Sequence, residues 1–166
     1  WRKPLRVWRG YFRSWIANPQ PEAQMLASVM FDLRAIAGDG AMLDRLQTET
    51  LEAAARDQIF VGHMIANALK HRPPLGLIGG FATIRSGEHR NQLDLKMNGV
   101  IPVVDLGRIY ALQGRLRAVN TRARLVAAQE AGVISPSGGD DLLAAYDLIA
   151  GERLDHQAQQ VRRGEK

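Results

Sequence analysis

Apolar residues recur at helical spacing over most of the chain. Leu5, Trp8, Phe12 and Trp15 fall at 3–4–3 intervals with Tyr11 beside them, which predicts a helix over 5–16. Asn18-Pro19-Gln20-Pro21 ends it, because proline lacks the amide a helix interior needs and restricts the residue before it. Leu26, Val29, Leu33 and Ile36 form the stripe of a second helix over 21–36, broken by Gly38-Asp39-Gly40. A third helix is predicted over 41–56, with Leu43, Leu46 and Thr50 or Leu51 inward. A fourth covers 58–71, with Phe60, Met64, Ile65 and Leu69 inward, and Arg72-Pro73-Pro74-Leu75-Gly76 stops it.

Residues 77–100 lose the helical period and are rich in glycine. Phe81 to Arg85 and Gln92 to Lys96 read as two short strands around Ser86-Gly87-Glu88-His89. After Pro102 a fifth helix runs to about Arg117, with Val103, Leu106, Tyr110 and Gln113 on one face. Asn120 or Thr121 caps a sixth, which Gly132 ends. Residues 135–139 read as a loop. A last helix over 140–162 buries Leu143, Tyr146, Ile149 or Ala150, and Leu154. The predicted fold class is all-α: an antiparallel helical bundle with room for one short β-hairpin near 81–96. Residues 1–18 read as a basic, aromatic linker helix and 19–166 as a single helical-bundle domain.

Composition narrows this picture. The 166 residues are 46% apolar and 23% charged, which suits one globular core. There is no cysteine, so disulfides, zinc–thiolate sites and a cysteine nucleophile are excluded. The absence fits a reducing, cytoplasmic setting. No apolar run approaches the roughly 20 residues that cross a bilayer, so no membrane partner is expected. The chain begins at Trp1 and not methionine, and is expected to be a piece of a longer protein.

The net charge of +5 first suggests nucleic acid or an anionic surface. However, Arg2, Lys3, Arg6, Arg9 and Arg13 lie in residues 1–16 without an acid, and the remainder is neutral. The basicity belongs to the first helix. That helix could lie on a membrane or bind nucleic acid through arginines and stacking. Packing of its aromatic face on this core, or on an upstream domain, is favoured over both.

Familiar catalytic patterns are missing. Gly76-Leu77-Ile78-Gly79-Gly80 lacks the lysine of a phosphate-binding loop, and there is no H-E-x-x-H or G-x-S-x-G. No two aspartates stand two apart, so the carboxylate pair that holds two metals in many nucleotidyl-transfer enzymes is absent. No residue of this chain is assigned a catalytic or metal-binding role. His63, Asn67 and His71 share a helix face, but two turns separate the histidines by about 12 Å, too far to chelate one ion. His89 and His156 read as exposed. Acid–base pairs set against apolar stripes are more informative: Asp32 with Arg34, Asp94 with Lys96, Asp105 with Arg108, and Asn120-Thr121 opening the sixth helix. Asp105 and Arg108, three apart, can pair. Such pairs make either a structural network or a polar cleft for a phosphorylated or charged ligand, and spacing alone favours the network.

Five segments occur in one order: Met30-Phe31-Asp32-Leu33-Arg34…Gly38-Asp39, His71-Arg72-Pro73-Pro74-Leu75-Gly76, Ser86-Gly87-Glu88-His89…Leu93-Asp94-Leu95-Lys96, Gly99-Val100-Ile101-Pro102-Val103-Val104-Asp105-Leu106…Arg108-Ile109-Tyr110-Ala111-Leu112, and Asn120-Thr121-Arg122. Over about residues 5–160 this order resembles the C-terminal, substrate-binding-like helical domain of the putative nucleotidyltransferases that often carry cyclic-nucleotide-binding and CBS modules. The resemblance implies an upstream catalytic domain related to that of protein-PII uridylyltransferase and glutamine-synthetase adenylyltransferase. That domain would supply the metal-binding carboxylates and hold Mg²⁺ and a nucleoside triphosphate, neither of which is expected on this fragment. The helical domain would close the other wall of the cleft. Arg34, Lys96 and Arg108 would face phosphate or an acidic acceptor, while Asp94 and Asp105 orient those bases or assist an acceptor hydroxyl. The implied partners are the upstream domain and a regulatory protein acceptor. The alternative is a regulatory, protein-interaction module in a cyclic-nucleotide or CBS signalling protein.

Overall fold

The computed structural model describes residues 2–71, 73–75 and 80–164. Arg72 and residues 76–79, which carry part of the predicted helix stop and of the glycine-rich segment, lie outside them. Among the described residues the fold is all-α, with seven α-helices and one π-helical turn. In chain order they are α1 (Leu5–Ala17), α2 (Pro21–Asp32), α3 (Gly40–Arg56), α4 (Gln58–Ala68), the π turn (Lys96–Val100), α5 (Ile101–Gln113), α6 (Thr121–Glu130) and α7 (Pro136–Arg162). Among the described residues, no helix is long and apolar enough to cross a membrane.

Four of the seven described α-helices, α3, α4, α6 and α7, begin where a side chain satisfies a free amide. Asp39 accepts from Ala41 N at 3.0 Å, Asp57 from Phe60 N at 2.9 Å, Asn120 from Ala123 N at 2.8 Å and Ser135 from Gly138 N at 3.1 Å. The Ser135 cap, with Pro136 in the first turn, starts α7 four residues before the predicted 140 and makes the expected loop its opening turn.

Other boundaries moved as well, and the fourth helix ends at Ala68 and not at residue 71. The second helix was expected to reach residue 36 but stops at Asp32, and Leu33 is extended. The Gln47 amide donates to the Leu33 carbonyl at 2.7 Å, so that backbone is held by α3 and not by its own helix. Ile36, expected inward, is 90% exposed, and the buried face of α2 is Ala27, Met30 and Phe31. The fifth helix ends at Gln113, not Arg117, because Arg115 turns to a positive φ of 52°. Leu69, beyond the end of α4, and Leu154 on α7 are likewise exposed where burial was expected.

The segment 81–96 forms no strand among the described residues. Ile84 and the Asn91-Gln92 pair exchange backbone hydrogen bonds of 2.8 and 2.9 Å, and Leu75 bridges Phe81. Gly87 and Asn91 both take positive φ, which curls the chain after one such pair instead of extending a ladder. It then enters the π turn, where Asp94 accepts from Met97 N at 2.9 Å.

The main core joins α1 to α4, with Phe12, Ile16, Met30, Phe31, Leu46, Leu51 and Phe60 buried together and Leu112 of α5 closing it. The aromatic face of α1 therefore packs on α2 and α3, and Arg9 forks onto Glu49 of α3 with two 2.6 Å bonds. Fully burying side chains such as Phe12 and Leu46 contributes about 1.5–3 kcal/mol each. The π turn packs on α7 through buried Gly99, where an added Cβ would lie 2.9 Å from Ile149 Cγ2. Gly99→Ala is therefore expected to cost about 1–3 kcal/mol, read as a lower denaturant midpoint at constant m-value. An unchanged midpoint would show that the α7 contact is loose.

Candidate functional site

Three- and four-residue spacing on α2 and α5, together with α4, brings polar side chains to one cleft of about 270 Å³. Gln24 and Ser28 come from α2, Asn67 from α4, His71 from the turn after it, and Asp105 and Arg108 from α5. Met25, Met64 and Ile109 supply an apolar lining.

Behind the cleft lies a chain of charges. The Arg108 guanidinium donates to Asp105 Oδ1 at 3.3 Å and to Asp32 Oδ2 at 2.5 Å. The other oxygen of Asp32 accepts from Arg124 of α6 at 2.9 Å. Arg124 is 1% exposed, and it also donates to the Ala118 carbonyl at 2.9 Å and to the Phe31 carbonyl. Asp32 thus ties α5 to α6 from the C-terminal end of α2. Arg124 closes three acceptors in an interior where each unpaired group would be costly.

Among the described residues two donors are left over: Gln24 Nε2 and Arg108 Nε are buried without a hydrogen-bond partner. Both belong to residues that line the cleft. Burial holds the Asp105 carboxyl above the ordinary aspartate range, only partly offset by the Arg108 guanidinium and by His71. Burial also lowers Arg124, against the opposing pull of Asp32. For Asp105 the sign is clear. A carboxyl raised on folding favours its protonated form, so its contribution to stability is full below the unfolded value and is lost as pH rises through the folded one. At pH 7 the ionised group is a burden. Asp105→Asn is expected to leave the melting temperature at pH 7 unchanged or raised, with the wild type gaining on the variant as pH falls toward the acid range. A large loss of stability at pH 7 would make Asp105 a structural anchor instead.

Of the five residues singled out from the sequence, Asp105 and Arg108 come together as the spacing predicts. Arg34 is exposed in the loop after α2, where it lines a separate, apolar cavity. Asp94 is engaged in capping the π turn, and Lys96 is exposed at the start of that turn. None of these three bonds to Asp105 or Arg108 among the described residues. The histidine face splits, with His63 exposed and His71 half-buried at the cleft. Arg124 was missed. Its signal was an arginine on the inward stripe of α6, beside Thr121, Leu125 and Ala128. Gln24 gave no signal.

Magnesium, which the family resemblance implies for the whole enzyme, does not fit this cleft. Asp105 is the one carboxylate among its lining residues and is already paired, and among the described residues no group of three or more His, Asp or Glu side chains could hold a metal ion.

Compared with known proteins, residues 58–166 match the family model described as the putative nucleotidyltransferase substrate binding domain. No curated protein and no solved structure matches the chain.

Proposed function

The chain belongs to the putative nucleotidyltransferase substrate binding domain family, and from that premise we propose that the α2–α4–α5 cleft holds the acceptor of a nucleotidyl transfer. The observation that carries this reading is a half-buried carboxyl, Asp105, held by Arg108 and set among Gln24, Ser28, Asn67 and His71 in one cleft. A protein that only needed stability would gain by removing that carboxyl. A raised carboxyl is a better proton acceptor near neutral pH than an ordinary aspartate.

In this reading Asp105 accepts a hydrogen bond from the acceptor hydroxyl and draws its proton as that oxygen bonds to the α-phosphorus of the nucleoside triphosphate and the bond from that phosphorus to the departing pyrophosphate breaks. Arg108 is spent on Asp32 and Asp105, so it orients that carboxylate and does not bind phosphate as a free cation. His71, Asn67, Ser28 and Gln24 hold the rest of the acceptor. This favours a neutral or weakly charged polar acceptor over a strongly anionic one. Lys96, exposed on the π turn that runs directly into α5, would meet the phosphate side of the reaction. Asp94 fixes the turn that presents it. A catalytic domain of the protein-PII uridylyltransferase type would supply the metal and the nucleoside triphosphate, and transfer asks this chain mainly for positioning.

The test is transfer by the complete protein assayed with radiolabelled nucleoside triphosphates. Lys96→Ala is expected to raise KM for the triphosphate several-fold with little effect on the acceptor KM. An unchanged triphosphate KM removes Lys96 from the phosphate side.

A further inference from the structure

A second concavity lies in the part of the chain before the family match. A cavity of about 590 Å³ opens between α1, α3 and the loop after α2, and its wall includes Trp8, Phe12, Trp15, Leu26, Leu33 and Leu46. A separate chamber of about 260 Å³ lies against the same Lys3, Trp8, Trp15 and Leu26, and the cavity itself is an open apolar trough. Its aromatic side is interlocked: Trp8 stacks on Phe12 at 5.9 Å, Tyr11 on Trp15 at 5.8 Å, and Phe12 meets Trp15 edge-on at 5.2 Å. Size, apolar lining and rigid walls are those of a small-molecule site.

The charges select the occupant. Lys3 and Arg34 line the trough, and neither forms an ion pair or side-chain hydrogen bond among the described residues. One acid, Asp39, stands on the same wall and also caps α3, so the lining carries two cations against one carboxylate. The trough is therefore apolar inside and net cationic among its charged residues. A nucleotide would strand its ribose and base edges against Trp and Leu, which few polar groups could satisfy.

We propose that the trough binds one free amphipathic monoanion, a long-chain carboxylate, with its chain along Trp8 and Trp15 and its headgroup on Arg34 and Lys3. The site is built by residues 3–46, shares no lining residue with the α2–α4–α5 cleft and does not depend on the transferase reading.

Two of the chain's three tryptophans stand on this wall, so intrinsic fluorescence reports occupancy directly. Dodecanoate, titrated below its micellar concentration, is expected to give a saturable emission change at one equivalent. Arg34→Ala should weaken dodecanoate about tenfold, Arg34→Lys should recover most of that loss, and dodecan-1-ol should bind wild type and Arg34→Ala alike. Arg34 is an exposed loop residue, so these variants fold. Equal affinity for the acid and the alcohol overturns the proposal, as does an Arg34→Ala variant that binds dodecanoate like wild type. No saturable change with dodecanoate overturns it too. A dimer that Ile36→Asp dissociates would assign the trough to a second copy, and binding to anionic vesicles but not to monomeric dodecanoate would assign it to a membrane surface; either result overturns the proposal.

Discussion

Arg124→Ala is expected to destabilise the protein by about 3–5 kcal/mol, the largest stability loss from any single side chain outside the apolar core. The change strands the Ala118 and Phe31 carbonyls, removes one of the two guanidinium partners of Asp32, and opens a void under α6. Arg124→Lys keeps the charge but cannot reach three acceptors with one ammonium, so it should recover less than half of the loss. Asp32→Asn attacks the same link from the other side, leaving Arg124 and Arg108 with their shared counter-charge removed. Combined with Arg124→Met it should cost clearly less than the two single losses added, because they break one network. Chemical denaturation with a double-mutant cycle measures this. Additive losses would mean that the two side chains act separately.

The second large effect is on catalysis. Arg108→Ala should lower kcat/KM for the acceptor by about 100-fold in the complete protein, equivalent to about 2.7 kcal/mol of lost transition-state stabilisation. The loss arises through Asp105, which Arg108 holds at 3.3 Å. A residue acting that way leaves a mark that a merely structural one does not. Without the guanidinium, the Asp105 carboxyl should rise further, so the acid limb of the pH–rate profile should move to higher pH. Arg108→Lys should partly restore both rate and profile. A profile that stays in place while the rate falls would make Arg108 a packing residue only.

Much of the fold is written in local pattern. The 3–4–3 apolar spacing marks α1, and α3 and α6 begin at residues whose side chains cap them. Where expectation failed, a distant partner had intervened. Gln47, fourteen residues on, takes the Leu33 carbonyl and ends α2 early, and no local signal announces that bond. The α7 start was legible in Ser135-Pro136, but the two glycines that follow looked like loop. At the site, the Asp105–Arg108 pair follows from helix geometry. Asp32 reaches Arg108 and Arg124 across 76 and 92 residues of sequence, which no periodicity can foresee. Asp105, Arg108 and Arg124 lie within the family match over residues 58–166, whereas Asp32, which links the two arginines, lies before it.

The most direct test compares Asp105→Asn with wild type in the complete protein, following label from each α-labelled nucleoside triphosphate into acceptor alongside the melting temperature. The account predicts transfer reduced at least about tenfold with the fold as stable as before or more so. Wild-type transfer by a fully folded Asp105→Asn protein would contradict it, and the cleft would then have no part in the chemistry.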